Sequence, residues 1–210
     1  MTLALKPEDL DFISNFSTLW AVFLGALLAT IGGFGATQLE WYLERRRRER
    51  NAALFFGEVL ATLHILIRFA ADSTKIGEPY GPITLRLFRS VLGEVDIYNR
   101  NRETLYDLSS AELRARIHTL TLRVSMSIDG IFDATNTINT LEEQLATGAP
   151  SAAERERSEK RIANLNVNRT NGYTFLLENA DQLRAVVKDL EPIARFSFDR
   201  VENAVRRTNT

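Results

Sequence analysis

Residues 19–36 carry no charge, and Arg45-Arg46-Arg47-Arg48 follow soon after. No other feature constrains the fold of this chain as much. About 18 to 20 apolar and small residues in helical phase cross a bilayer core of roughly 30 Å. A dense basic cluster past one end marks the cytoplasmic side, because Lys and Arg are retained there. Before the apolar run, Lys6 stands against Glu8, Asp9 and Asp11, so no positive bias competes. The expectation is a short extracytoplasmic segment over residues 1–16, a single transmembrane helix over 17–43, and a cytosolic domain over 44–210.

The aromatic residues agree with that placement. Trp20 and Trp41 are 21 residues apart, roughly 31 Å along a helix. With Tyr42, they stand where aromatic belts meet the two headgroup levels. A cleaved signal peptide is the rival reading. It needs a basic region before a shorter apolar core and a small-residue cleavage site after it. Here the basic cluster comes after the core, and no Ala-x-Ala lies near its end.

Within the anchor, Ser17, Ala21, Gly25, Ala29, Gly33 and Thr37 recur every four residues. Small residues at this spacing let two helix backbones approach closely and gain van der Waals contact. The strip, of which Ala21, Gly25, Ala29 and Gly33 form the centre, is expected to pack on another membrane helix. The plainer explanation is a segment merely rich in Gly and Ala. Arg45, Arg46, Arg47 and Arg48 are read as topology determinant and lipid-headgroup contact rather than a nucleic-acid patch, since net charge is only −1.

Residues 52–71 are nearly as apolar as the anchor, and a second span is the competing topology. Glu58, His64 and Arg68 interrupt that stretch, and an ionised side chain near the bilayer centre costs at least ~2.5 kcal/mol. Between Glu40 and Arg50 there is no Gly, Pro or Asn to make a turn. The simpler expectation is one long helix that leaves the membrane and becomes a core helix through Phe56, Val59, Leu60, Leu63 and Ile67.

The rest reads as all-α. Residues 73–82, with Gly77, Pro79, Gly81 and Pro82, are the clearest loop. A helix is expected from Ile83 to about Tyr98, and a short helical segment near 103–108. Ser109 and Glu112 have the spacing of a capping box. From there Leu113, Ile117, Leu120, Val124, Ser127, Ile131, Ala134, Ile138, Leu141 and Leu145 alternate steps of four and three, a heptad seam. Gly148-Ala149-Pro150 stops it, and Ser151 with Glu154 forms a second capping box. The fold class expected is therefore a transmembrane helix continuing into a helical bundle with a long antiparallel αα-hairpin over about 110–190. Pro192 suggests a break, with a last helix over about 193–207.

Folding the hairpin about Ala149 sets Ser127 and Ala134 opposite Asn171 and Asn164, with Asn168 nearby. This suggests a polar band of Ser127, Asn164, Asn168 and Asn171 inside the seam. It would serve as a ligand or cation pocket, as a register device, or simply as solvated surface. Chemistry is otherwise scarce. There is no cysteine, hence no thiol nucleophile or Cys-based zinc site. His64 and His118 are isolated from metal-protease or nucleophile-elbow patterns. No phosphate-binding loop occurs, and Gly32-Gly33-Phe34-Gly35 lies in the span. Asp129 and Asp133 are one turn apart, a common surface spacing. Asn15-Phe16-Ser17 and Asn168-Arg169-Thr170 match a glycosylation pattern.

The expectation is a non-enzymatic, membrane-anchored interaction or scaffold protein without metal or cofactor. It would be an accessory subunit whose partner is another membrane helix, in a heteromeric complex or a homo-oligomer. The alternative is a sensing module that passes a packing change from the membrane helix to a bistable bundle.

Overall fold

The computed structural model describes residues 7–200 except Ala149, and side chains from Trp20 onward. All regular structure among them is helical. Four α-helices follow in order: α1 (Pro7–Ser73), α2 (Pro82–Arg100), α3 (Ala111–Thr147) and α4 (Ala152–Ala194). A 3-10 helix, Arg102–Asp107, lies between α2 and α3. The chain divides into two compact units, Met1–Arg47 and Arg48–Thr210.

In the first unit every side chain described is exposed, including Trp20, Phe23, Leu28, Ile31, Phe34 and Trp41. This is the one helix among the described residues that is long and apolar enough to cross a membrane. Its polar atoms are satisfied locally. The Thr30 hydroxyl donates to the Ala26 carbonyl at 2.8 Å, and Thr37 donates to Gly33 at 3.0 Å. Such back-bonding to residue i−4 lets a hydroxyl sit on an apolar helix without an unmet donor.

The second unit is a helical bundle. Residues 48–73 of α1 bury Ala53, Phe56, Leu60, Leu63, Ile67 and Ala70 completely. These residues belong to one buried core with residues of α2, α3 and α4. Glu58 stays at the surface. α2 adds Phe88, Val91, Val95 and Tyr98, α3 adds Ile117, Val124, Ile128 and Ile131, and α4 adds Leu176, Leu183, Val186 and Leu190.

Helix ends follow local chemistry, with two corrections. At α4 the capping box is complete: the Glu154 N–H donates to the Ser151 hydroxyl, and the Ser151 N–H donates to the Glu154 carboxylate at 2.9 Å. At α3 the cap is Ser110, not Ser109; its hydroxyl accepts from the Leu113 N–H at 3.2 Å. Ser109 is engaged elsewhere, its N–H and hydroxyl both donating to the Glu49 carboxylate. The second correction concerns Pro192, which does not break α4. It removes only the bond to the residue 188 carbonyl in the last turn, and α4 continues to Ala194. The stop is Arg195, in the left-handed region at φ 52°, followed by an N–H bond from Phe196 back to the Glu191 carbonyl. The helix expected over 193–207 does not start at 193: Ile193 and Ala194 belong to α4, residues 195–198 are not helical, and 201–207 lie outside the described residues.

After that stop the chain turns Phe198 inward. Its ring is 2 % exposed, and its N–H donates to the Glu191 carboxylate at 2.8 Å. The ring fills a notch over Gly57 of α1, where a Cβ would stand 2.1 Å from the ring's Cζ.

α3 and α4 pack along their lengths, with Arg116 paired to Asp189 at 2.6 Å and Gly172 against Ile131. They outrun the other helices. The shared core reaches Ile131 on α3 and begins at Leu176 on α4. Further out, Leu141, Leu145, Ile162 and Leu165 are only half-buried.

Candidate functional site

Two regions bear on function: the face of the first unit and the polar groups of the bundle. On the first unit, Ala21, Gly25, Ala29 and Gly33 are all exposed, and a Cβ added at Gly25 or Gly33 would meet nothing within 4 Å. The side chain of Ser17 lies outside the described residues. At the strip's far end the Arg45 guanidinium lies 5.7 Å from the Trp41 ring, and Arg46 lies 4.8 Å from Tyr42. A guanidinium over an aromatic face is attracted by the ring quadrupole. It also holds the charge beside a group that favours the headgroup level. Arg47 and Arg48 are exposed.

The four residues of the expected polar band do not lie together inside the seam. Ser127 is 7 % exposed and faces inward, but Asn164, Asn168 and Asn171 are exposed. The physical reason is rotational. The Ser127 carbonyl lies near Gly172 rather than Asn171, and one residue turns a helix by about 100°. Two of the four do meet at the surface: Ser127 and Asn168 line one open groove of about 470 Å³ with Met126, Gly130, Asp133 and Gly172. The hydroxyls that are buried need no ligand. Thr121, Ser127 and Thr135 donate to the carbonyls of Ile117, Arg123 and Ile131 in their own helix.

Both histidines have defined partners. His64 is 5 % exposed, with Nδ1 2.9 Å from the Ala180 carbonyl, so Nδ1 carries the hydrogen. His118 lies between the Tyr98 hydroxyl, 3.2 Å from Nδ1, and the Arg102 guanidinium, 3.4 Å from Nε2. Arg can only donate, so Nε2 is the acceptor in that contact. Burial pushes the Tyr98 hydroxyl above its ordinary pKa, with Arg102 partly opposing. The bonds of His118 run to Tyr98 and Arg102, not to a serine, threonine or carboxylate that it could activate. Among the described residues, no three His, Asp or Glu side chains are grouped to hold a metal.

Two polar residues escaped the sequence reading. Asn179 is fully buried; its Nδ2 donates to the Phe175 carbonyl at 2.7 Å, and its Oδ1 has no partner. Its place between Leu176 and Leu183, three and four residues away, could have signalled burial. Arg169 lies 3.9 Å from the Tyr80 ring and donates to Asn166 at 2.6 Å. That contact ties the loop after α1 to α4, and Tyr80 also meets Tyr173 edge-on. Burial raises the pKa of Tyr173, against a smaller opposing effect of its bond to Thr74.

Compared with protein-family models, with curated proteins and with solved structures, the chain matches none. What the fold defines is a class: an all-helical protein with a helical bundle and one helix of membrane-spanning length and composition.

Proposed function

We propose that this protein is a non-enzymatic, single-pass membrane-anchored scaffold, an accessory subunit that docks on another membrane protein through its first unit. One observation carries the reading. Residues 20–43 form an apolar helix whose every side chain is exposed, with Ala21, Gly25, Ala29 and Gly33 in one strip. Lipid covers the large side chains of such a helix, whereas the strip gains most from a second backbone at close range. In this reading the N-terminus is outside, the bundle is cytoplasmic, and Arg45 to Arg48 hold the boundary against lipid headgroups. The bundle and its long α3–α4 hairpin serve as the brace presented to the partner. With Asn164, Asn168 and Asn171 at the surface, the sensing alternative lacks the internal polar layer it depended on.

The test is purification of the full chain in gentle detergent from its native host, as the natural sequence and as Gly25→Leu with Gly33→Leu. The expected result is a stoichiometric membrane partner that is lost from the variant, while the circular dichroism of the bundle is unchanged. Retention of the partner by the variant would count against the strip. A particle containing only this chain would replace the accessory-subunit reading with self-assembly.

A further inference from the structure

We infer that the end of α4 is a two-position joint, and that the segment from Arg195 onward is a releasable strap over a pocket for an aromatic side chain. All the residues involved belong to the second unit, so the joint stands apart from the anchor and its docking strip. The local sequence does not ask for a break here. Ile193 to Arg200 contain no Gly or Pro, the residues that ordinarily stop a helix. Yet 195–198 are not helical, and 199 and 200 are helical again. The break turns on Arg195, whose φ of 52° and ψ of 41° lie in the left-handed region. That conformation is unfavourable for a residue with a side chain and free of penalty for Gly.

The contacts show what holds the break. If α4 continued, the Phe198 N–H would donate to the Ala194 carbonyl, four residues back. Both halves of that bond are taken by side chains instead. The Ala194 carbonyl accepts from the Arg50 guanidinium of α1 at 3.1 Å, and the Phe198 N–H donates to the Glu191 carboxylate at 2.8 Å. The third hold is the Phe198 ring in the notch over Gly57. The ring does not fill its surroundings. Beside it is a cavity of about 20 Å³ whose walls include Ala61, His64, Ile65 and Val187, room for one water.

Two arrangements therefore compete. In the strapped one, burial of the ring and the two substitute bonds offset the left-handed Arg195. In the extended one, Arg195 returns to helical φ, the Phe198 N–H bonds the Ala194 carbonyl, and α4 runs on through residues 199 and 200 as one helix. What the exchange opens is the notch at Gly57 together with the cavity beside His64. The strap thus decides whether this pocket is presented to another molecule. The ring it holds gives the ligand class that fits, an aromatic side chain.

The chain has no cysteine, so spin labels can be placed by Gln182→Cys with Arg200→Cys on the full chain in detergent. Both sites are exposed. In one continuous helix they would stand about 27 Å apart, and the turn at Arg195 makes that distance shorter. The expected result is one shorter distance in the labelled natural chain. Evicting the ring, by Phe198→Ala or by the milder Gly57→Ala, should bring up a population at about 27 Å. Adding Arg195→Gly to either should lower its ratio to the short population roughly fivefold, because Gly accepts the left-handed turn and weakens the helix. Circular dichroism confirms that each chain keeps its fold, and either eviction variant suffices. A distance that stays short after eviction shows the break to be held locally and overturns the joint. A broad distribution without a peak near 27 Å shows a tail that only frays, and overturns it as well.

Discussion

Replacing Gly57 by alanine would set a Cβ 2.1 Å from Cζ of Phe198 and 2.4 Å from its Cε2. Carbon atoms in contact normally stand about 3.5–4.0 Å apart. The ring must therefore withdraw by more than about 1 Å, although it is 2 % exposed and its backbone is held by Glu191. Two effects oppose each other. In a helix interior Ala is better than Gly by about 1 kcal/mol. Overpacking costs about 1–3 kcal/mol, with expulsion of the ring as the ceiling, a loss of about 1.5–3 kcal/mol of burial. The expected outcome is net destabilisation by about 1 kcal/mol. Phe198→Ala alone should cost about 3 kcal/mol, and it empties the notch. In that background Gly57→Ala should therefore stabilise by about 1 kcal/mol, its helix propensity now unopposed. The effect of one methyl group reverses sign, a coupling of about 2 kcal/mol. Urea unfolding of the four full-length variants in one detergent, followed by circular dichroism, measures it, provided they share an m-value. An effect of Gly57→Ala that is the same in both backgrounds would refute the notch.

Three further outcomes follow from the bundle. Asn179→Leu removes a buried acceptor that has no partner and should raise stability by about 1–2 kcal/mol in the same assay; a loss would show that Oδ1 is satisfied. Ser110→Ala removes the α3 cap and should cost about 1 kcal/mol, while Ser109→Ala should leave the cap intact; equal costs would reassign it. The Ser151 hydroxyl, and secondly its N–H, hold the Glu154 carboxyl below the ordinary carboxylate range. A carboxyl depressed in the fold adds stability that is present above its unfolded pKa and lost as pH falls through the folded value. Carbon-13 titration should place Glu154 low in the natural chain and higher, though still below the ordinary range, after Ser151→Ala, which keeps the backbone N–H; an unchanged value would refute the hydroxyl's role.

Legibility in the sequence followed the range of the interaction. Ser151 and Glu154 are three residues apart, so their mutual cap could be read from spacing alone. Pro82 at the start of α2 and the four-and-three rhythm of Val91 and Val95 are equally local. Ser109 and Ser110 are both good caps by residue type, and the choice between them was made by Glu49, sixty residues away. Gly57 and Phe198 are farther apart still, and neither residue announces the other. The exposure of Asn164 and Asn171 was missed for a related reason: the face a residue takes depends on the register between α3 and α4, and one residue of offset turns a helix by about 100°. The shared face of Ala21, Gly25, Ala29 and Gly33 was legible because their spacing lies within one helix.

The unequal lengths of the helices have a dynamic consequence. Near Phe56 and Leu183 each helix is enclosed by neighbours, whereas around Leu141 and Ile162 α3 and α4 have only each other. Opening free energy tracks the number of buried apolar contacts, so it should grade along the α3–α4 pair, lowest near Leu141 and Ile162 and highest near Ile131 and Leu176. The stretch around Leu141 and Ile162 then opens more readily than the stretch around Ile131 and Leu176. A ligand gripping residues 141–165 would encounter, and could tighten, the part of the protein that is cheapest to rearrange.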